Sequence, residues 1–182
     1  MARLDHTLSF LLICSFILSI TNPSFSCPVP CETELTLRFY LRRVVAGPSR
    51  DQEQIVASPY PKGFGQIVVN DWSILDAPES NATIIARGEG MQLQASRAGN
   101  RWFNYVSIVF KEDRFRGSTL IAMGITQWAI VGGTGQFASA HGTIKLGIFR
   151  ETNVETYVQL DIHVFSTPET VTSASTPMSN SI

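Results

Sequence analysis

The chain has 182 residues, and its 14 lysines and arginines against 15 aspartates and glutamates leave a formal charge of −1 at neutral pH. A balance this close to zero gives no electrostatic basis for binding nucleic acid or an anionic membrane surface, and neither is expected as a partner. The length suits one domain with a sizeable core, so a second domain would have to be very small.

Arg3, the apolar run from Leu8 to Ile20 and the small-residue stretch ending at Ser26 have the layout of a secretory signal peptide cleaved after Ser26. The apolar run is shorter than the roughly 20 residues that span a bilayer. Secretion permits a disulfide between Cys27 and Cys31 in "CPVPC". Two prolines inside so small a ring restrict its geometry, and an intermolecular bond or two free thiols are the alternatives. No second Cys or His pair stands at ligand spacing, so no metal is expected.

From Leu35 the apolar residues recur at every second position. Leu35, Leu37, Phe39 and Leu41 alternate with Thr36, Arg38, Tyr40 and Arg42, which predicts a strand. Residues 46–63 read as a long polar connection. Further strands are predicted at 64–73, 83–95, 101–111, 118–126, 128–131 and 139–149. The last carries Val158, Leu160, Ile162 and Val164 opposite Tyr157, Gln159, Asp161 and His163. Asn81, in "NAT" after the turn-like "DAPES", is a glycosylation acceptor in a secreted chain. Short connections such as "RAGN" at 97–100 favour hairpins. The expected fold is all-β, an eight-stranded antiparallel β-barrel with a central pocket able to hold one small ligand; a β-sandwich is the alternative. The domain would occupy residues 27–165, and the Ser/Thr/Pro-rich tail at 166–182 reads as disordered.

"VGGTGQFASAHG" at 131–142 contains the Gly-x-Gly-x-x-Ala spacing of a dinucleotide-binding turn. That motif works only when the turn feeds a helix N-terminus. Here Ile144, Leu146 and Ile148 alternate with Thr143, Lys145 and Gly147, so a turn between two strands is expected and no cofactor. Hydrolase chemistry lacks a Gly-x-Ser-x-Gly turn, and only His141 and His163 follow the leader. His163 and Asp161 share one strand face, either as an acid/base pair or as a polar surface. Trp102, Phe103, Tyr105, Phe110, Phe115 and Trp128 gather in the middle strands, where they can fill a core or stack on flat aromatic ligands.

Six stretches together resemble the plant dirigent family: "LTLRFYLRRVVAG" from Leu35, "FGQIVVND" at 64–71, "ARGEG" at 86–90, "WFNYVSIVF" at 102–110, "GSTL" at 117–120 and "VGGTGQFASAHG". They follow the family's order across about residues 34–165. The resemblance implies the barrel shared with allene oxide cyclases, secretion to the apoplast and a homo-oligomer, dimer or trimer. It further implies binding of phenoxy radicals, typically from coniferyl alcohol, that a separate oxidase such as laccase has generated. Orienting their coupling yields an optically active lignan without turnover by the protein itself. Some relatives instead act as enzymes on quinone methides, and a cell-wall barrel with no open pocket is the third possibility.

The chain also departs from the family pattern. Relatives end the first strand in a His-Asp pair whose Asp is a pocket acid, and Arg42 and Arg43 stand there instead. Arg43 shares the face of Leu37, Phe39 and Leu41, so it would convert a proton-donor site into an anion-binding one. His141 occupies the place of a common arginine, and histidine is a residue type suited to acid/base work. Simple alternation sets it opposite Ile144 and Leu146, so aiming it inward would require a bulge. Asp71 and Arg87 match their motifs. The expected site therefore has His141 and Asp71 as catalytic groups, with Arg43, Arg87, Phe39, Phe103 and Tyr105 contacting substrate.

Overall fold

The computed structural model describes residues 32–167. The leader, the "CPVPC" cysteines and all but the first two residues of the tail lie outside the described residues. Nine strands run through the chain: β1 (Thr33–Val44), β2 (Gln52–Val56), β3 (Ile67–Leu75), β4 (Ile84–Gln94), β5 (Trp102–Phe110), β6 (Thr119–Gly124), β7 (Gln127–Thr134), β8 (His141–Glu151) and β9 (Glu155–Ser166). All pairings are antiparallel, in the order β1-β9-β8-β7-β6-β5-β4-β3. β3 then returns to β1 through Tyr40↔Leu75, Leu41↔Ile74 and Arg42↔Ser73, which closes an eight-stranded barrel.

The ninth strand shares an edge. β2 pairs with β3 at Gln52↔Asn70, Glu53↔Val69 and Gln54↔Val68, so β1 and β2 occupy successive lengths of one β3 edge. The loop between them is pinched shut, because the Asp51 N–H donates to the Val44 carbonyl at 3.1 Å and the Asp71 N–H donates to the Asp51 carbonyl at 2.9 Å. Sequence reading assigned this region to a polar connection. "QEQIV" carries no apolar alternation because the strand is held by backbone bonds along an open surface rather than by burial. Where expectation gave a short run at 128–131, β7 extends three residues further, through Gly132 and Gly133 to Thr134.

Alternation decides what the barrel holds. Leu41, Trp72, Ile74, Ala86, Val106, Ile108, Leu120, Ile130, Ile144, Leu160 and Ile162 face inward and are buried. One end is filled by three phenylalanines. Phe110, Phe115 and Phe137 place their ring centroids 4.8 to 5.4 Å apart, and Phe137 is fully buried. Phe137 comes from the glycine stretch at 131–142, which makes a single 3-10 turn, Gly135–Phe137, before β8 begins. Gly135 has φ +62°, and a Cβ there would lie 2.7 Å from the Ser118 hydroxyl, which accepts the Gln136 N–H at 3.0 Å. Gly142 has φ +142°, and its Cβ would lie 2.1 Å from the His163 carbonyl oxygen. These glycines let the chain turn against its neighbours and drive an aromatic plug into the barrel end, and a strand follows them where a nucleotide site needs a helix.

Phe137→Ala should leave a cavity between Phe110 and Phe115 and destabilise the barrel by about 3–5 kcal/mol. Urea unfolding followed by circular dichroism checks this; a loss below about 1 kcal/mol would mean that the end is not closed by these rings.

Candidate functional site

The opposite end is open. A pocket of about 450 Å³ is walled by Trp72 from β3, Trp102 from β5 and Trp128 from β7, with Leu41, Leu146 and Val158 completing the apolar surface. The chain has three tryptophans, and all of them are here. Each keeps the parity of a buried neighbour: Trp72 of Ile74, Trp102 of Val106, Trp128 of Ile130. The volume lies within the range of pockets that hold small organic ligands.

Arg43 is the next inward residue on β1 after Leu41, and it lines this pocket. Its guanidinium carbon stands 5.7 Å from the Trp72 ring centroid. Its Nε is buried without a hydrogen-bond partner, and no carboxylate pairs with it among the described residues. Burial pulls its pKa below the ordinary arginine value, and the charges of Glu151 and Asp51 offset part of that effect. Arginine nevertheless remains cationic in water-accessible protein sites. The Trp128 indole N–H is likewise buried without a partner. Gln92 donates from Nε2 to Asn104 Oδ1 at 2.8 Å, and Asn104 donates to the Trp102 carbonyl at 3.0 Å, so one wall carries a fixed amide pair. Arg101 lies at the rim, and among the described residues none that line the pocket is Asp, Glu or His. Such a pocket can stack, orient and hydrogen-bond a ligand, but it offers no ordinary carboxylic or imidazole proton donor.

The other residues singled out from the sequence lie elsewhere. Phe39 points inward toward the plugged end, with its ring edge-on to Phe110 at 6.1 Å. Phe103 and Tyr105 alternate with inward Asn104 and Val106, and so face out from β5. Asp71 and Arg87 also face outward. Arg87 donates from Nε to Asp71 at 2.7 Å and from Nη1 to Ser73 at 2.8 Å. That contact holds the Asp71 carboxyl below its usual range and raises Arg87. His141 pairs with Phe165 in an unshifted part of the β8–β9 ladder, and the slip in that ladder falls at Ile148/Arg150. The inward-aiming bulge is therefore absent at His141, whose half-exposed ring stacks on Phe165 at 5.3 Å with Nδ1 3.8 Å from Glu32. Asp161 and His163 do not pair with each other: Asp161 accepts from Arg38 at 2.6 Å, and His163 Nε2 lies 2.6 Å from Glu34. Asn81 is exposed in the turn after β3. Of the proposed catalytic and substrate-contacting residues, Arg43 reaches the pocket. Trp102 and Trp128, from the aromatic group noted in the middle strands, line it as well; Trp72, Gln92 and Asn104 were missed, although Trp72 shares parity with Ile74 and Asn104 with Val106.

A second, larger concavity of about 870 Å³ lies outside, between the 45–51 loop and the faces of β3 and β4. Its arginines are already matched: Arg42 donates to Glu155 at 2.8 Å and Arg87 to Asp71 at 2.7 Å. Asp51 belongs to this groove and accepts the Val44 N–H at 2.8 Å. Burial outweighs that hydrogen bond and pushes the Asp51 carboxyl up to about 6. The groove is polar, open and internally neutralised, whereas the smaller interior pocket has apolar walls and an unmatched cation. The interior pocket is therefore the candidate ligand site.

Comparison with known proteins agrees with this architecture. A profile for dirigent-like proteins matches residues 34–165. Pterocarpan synthase 1 of Glycyrrhiza echinata is 30% identical over 144 residues, covering 71% of this chain and 76% of that protein. Dirigent protein 15 of Arabidopsis thaliana is 28% identical over 132 residues, covering 63% of this chain and 70% of that one. A solved pterocarpan synthase dirigent protein superposes with a TM-score of 0.68 at 28% identity, covering 77% of this chain and 88% of its own.

The raised Asp51 carboxyl gives a pH signature. Its folded pKa of about 6 exceeds the ordinary 3.8, so the folded state binds more protons between those values. Its contribution to stability is complete below about pH 4 and is lost as pH rises through about 6. Wild-type denaturation midpoints should fall from pH 4.5 to pH 7 relative to those of Asp51→Asn. Parallel pH profiles of the two chains would contradict this.

Proposed function

The chain belongs to the dirigent-like protein family, and from that premise we propose that its tryptophan-walled pocket holds phenolic radicals and directs the face on which they couple. The radicals come from a separate oxidase such as laccase, the substrates are phenylpropanoid phenols such as coniferyl alcohol, and the product is an optically active lignan. The observation that carries this reading is the composition of the pocket: three indole walls, an unpaired guanidinium and a fixed amide pair, with no acid among them. Coupling of two preformed radicals needs no proton donor in its bond-forming step. It needs stacking and fixed hydrogen bonds that favour one approach, and a preference of about 1.4 kcal/mol already gives a tenfold ratio. The same reading puts the chain outside the cell as a homo-oligomer. An outward band in which Leu93 neighbours Phe103, and Tyr105 stands between Met91 and Met123, supports such assembly; light scattering showing only single-chain mass would count against it.

The similarity to pterocarpan synthases favours a second reading, ring closure of a quinone methide. A hydroxyl oxygen of the substrate attacks the methide carbon, the π electrons move to the carbonyl oxygen, and the hydroxyl proton ends on that oxygen or in solvent. Arg43 would hydrogen-bond the carbonyl oxygen as it gains charge.

The test combines purified protein with laccase and either coniferyl alcohol or ferulate, and measures product enantiomers by chiral chromatography. Wild type should give an enantiomeric excess that collapses in Arg43→Gln and survives in His141→Ala and Asp71→Ala. Racemic products with both substrates at every protein concentration would refute coupling control. Turnover of a quinone methide precursor without laccase, lost in Arg43→Gln, would favour the second reading.

A further inference from the structure

The pocket carries charge of one sign. Among the described residues its lining holds Arg43 and Arg101 and no carboxylate, in a chain whose overall charge is −1. Five of the described arginines pair with carboxylates: Arg38 with Asp161, Arg42 with Glu155, Arg50 with Glu53, Arg87 with Asp71 and Arg116 with Glu112. Among those without a carboxylate, Arg43 is set apart by burial: its Nε is buried without a hydrogen-bond partner, and the Trp128 N–H beside the same cavity is also unsatisfied. A buried donor without an acceptor costs free energy that a ligand acceptor recovers on binding. A cation in a low-dielectric cleft recovers most from an anion, and a guanidinium matches the two oxygens of a carboxylate.

We propose that the preferred ligand of this pocket is a flat phenolic bearing a carboxylate, of the hydroxycinnamate type, bound with its ring against the tryptophans and its carboxylate on Arg43. This rests on the aromatic-pocket reading above and narrows its substrate class from neutral alcohols to acids. The anionic group is a carboxylate rather than the phenol, because a phenol with an ordinary pKa near 10 is neutral at the pH of an acidic or neutral compartment. Arg101 at the rim adds a field that draws anions toward the mouth.

Isothermal titration calorimetry at pH 6.5 with three probes tests this: ferulate, its methyl ester and coniferyl alcohol. The three share the methoxyphenol ring, and only ferulate is charged. Ferulate should bind at least about tenfold more tightly than either neutral probe, the order expected for one charge-assisted contact in a partly desolvated site. Arg43→Gln should remove that advantage while keeping the ester affinity within about twofold, and Arg43→Lys should retain part of it. Retained ester binding also shows that the variant pocket is folded. Equal or weaker binding of ferulate, or an advantage that persists in Arg43→Gln, would overturn the assignment. If the neutral probes bind and ferulate does not, the carboxylate inference alone fails. If none of the three binds, the aromatic-pocket reading itself fails.

Discussion

Three residue pairs between β1 and β3 decide which side chains of this protein can meet a ligand. Because side chains alternate along a strand, pairing Leu41 with Ile74 sets both inside, and every neighbour follows by parity. Arg43 goes in and Arg42 goes out. Trp72 goes in and Asp71 goes out. A register one residue different would place Asp71 in the barrel and Trp72 in water, so the chemistry of the pocket and the closure of the sheet are one constraint. Closure also removes the exposed edge that β1 and β3 would otherwise present, and β2 covers the remaining length of β3.

Within that closed sheet the two ends do different jobs. Phe110, Phe115 and Phe137 pack one end solid, and the glycines at 135 and 142 exist to bring Phe137 there. The other end is left open between three indoles, with Gln92 and Asn104 locked to each other and so unable to collapse freely into the space. The packed aromatic rings are concentrated at the plug, and the open apolar walls at the mouth. The unpaired guanidinium of Arg43 belongs to the second group: it costs stability where it stands, and a ligand acceptor offsets that cost.

Much of this was legible in the chain. Period-two alternation from Leu35 to Leu41 and from Val158 to Val164 gave the strands, and the ordered motifs gave the family. β2 was hidden because a strand stabilised by backbone pairing on an open face leaves no apolar signature. The site was harder to read. In β3, Val68 and Val69 are both apolar and Asn70 is polar yet inward, so alternation there does not announce its own direction. Motif matching drew attention to Asp71 and Arg87, whose mutual ion pair lies on the outer face. Arg43 was readable because it extends an unambiguous apolar row. His141 was also readable, since its alternation already pointed outward and the structure places no bulge there to reverse it.

The proposed chemistry is recognition by shape, stacking and one cation inside the barrel; His141 and Asp71 stand on its outer face. A structure of the protein with ferulate bound tests this most directly. The predicted result is a ring held among Trp72, Trp102 and Trp128, with an acceptor oxygen about 3 Å from Arg43 Nε. A ligand seated in the outer groove against Asp51 and Arg87, with the interior empty, would contradict it.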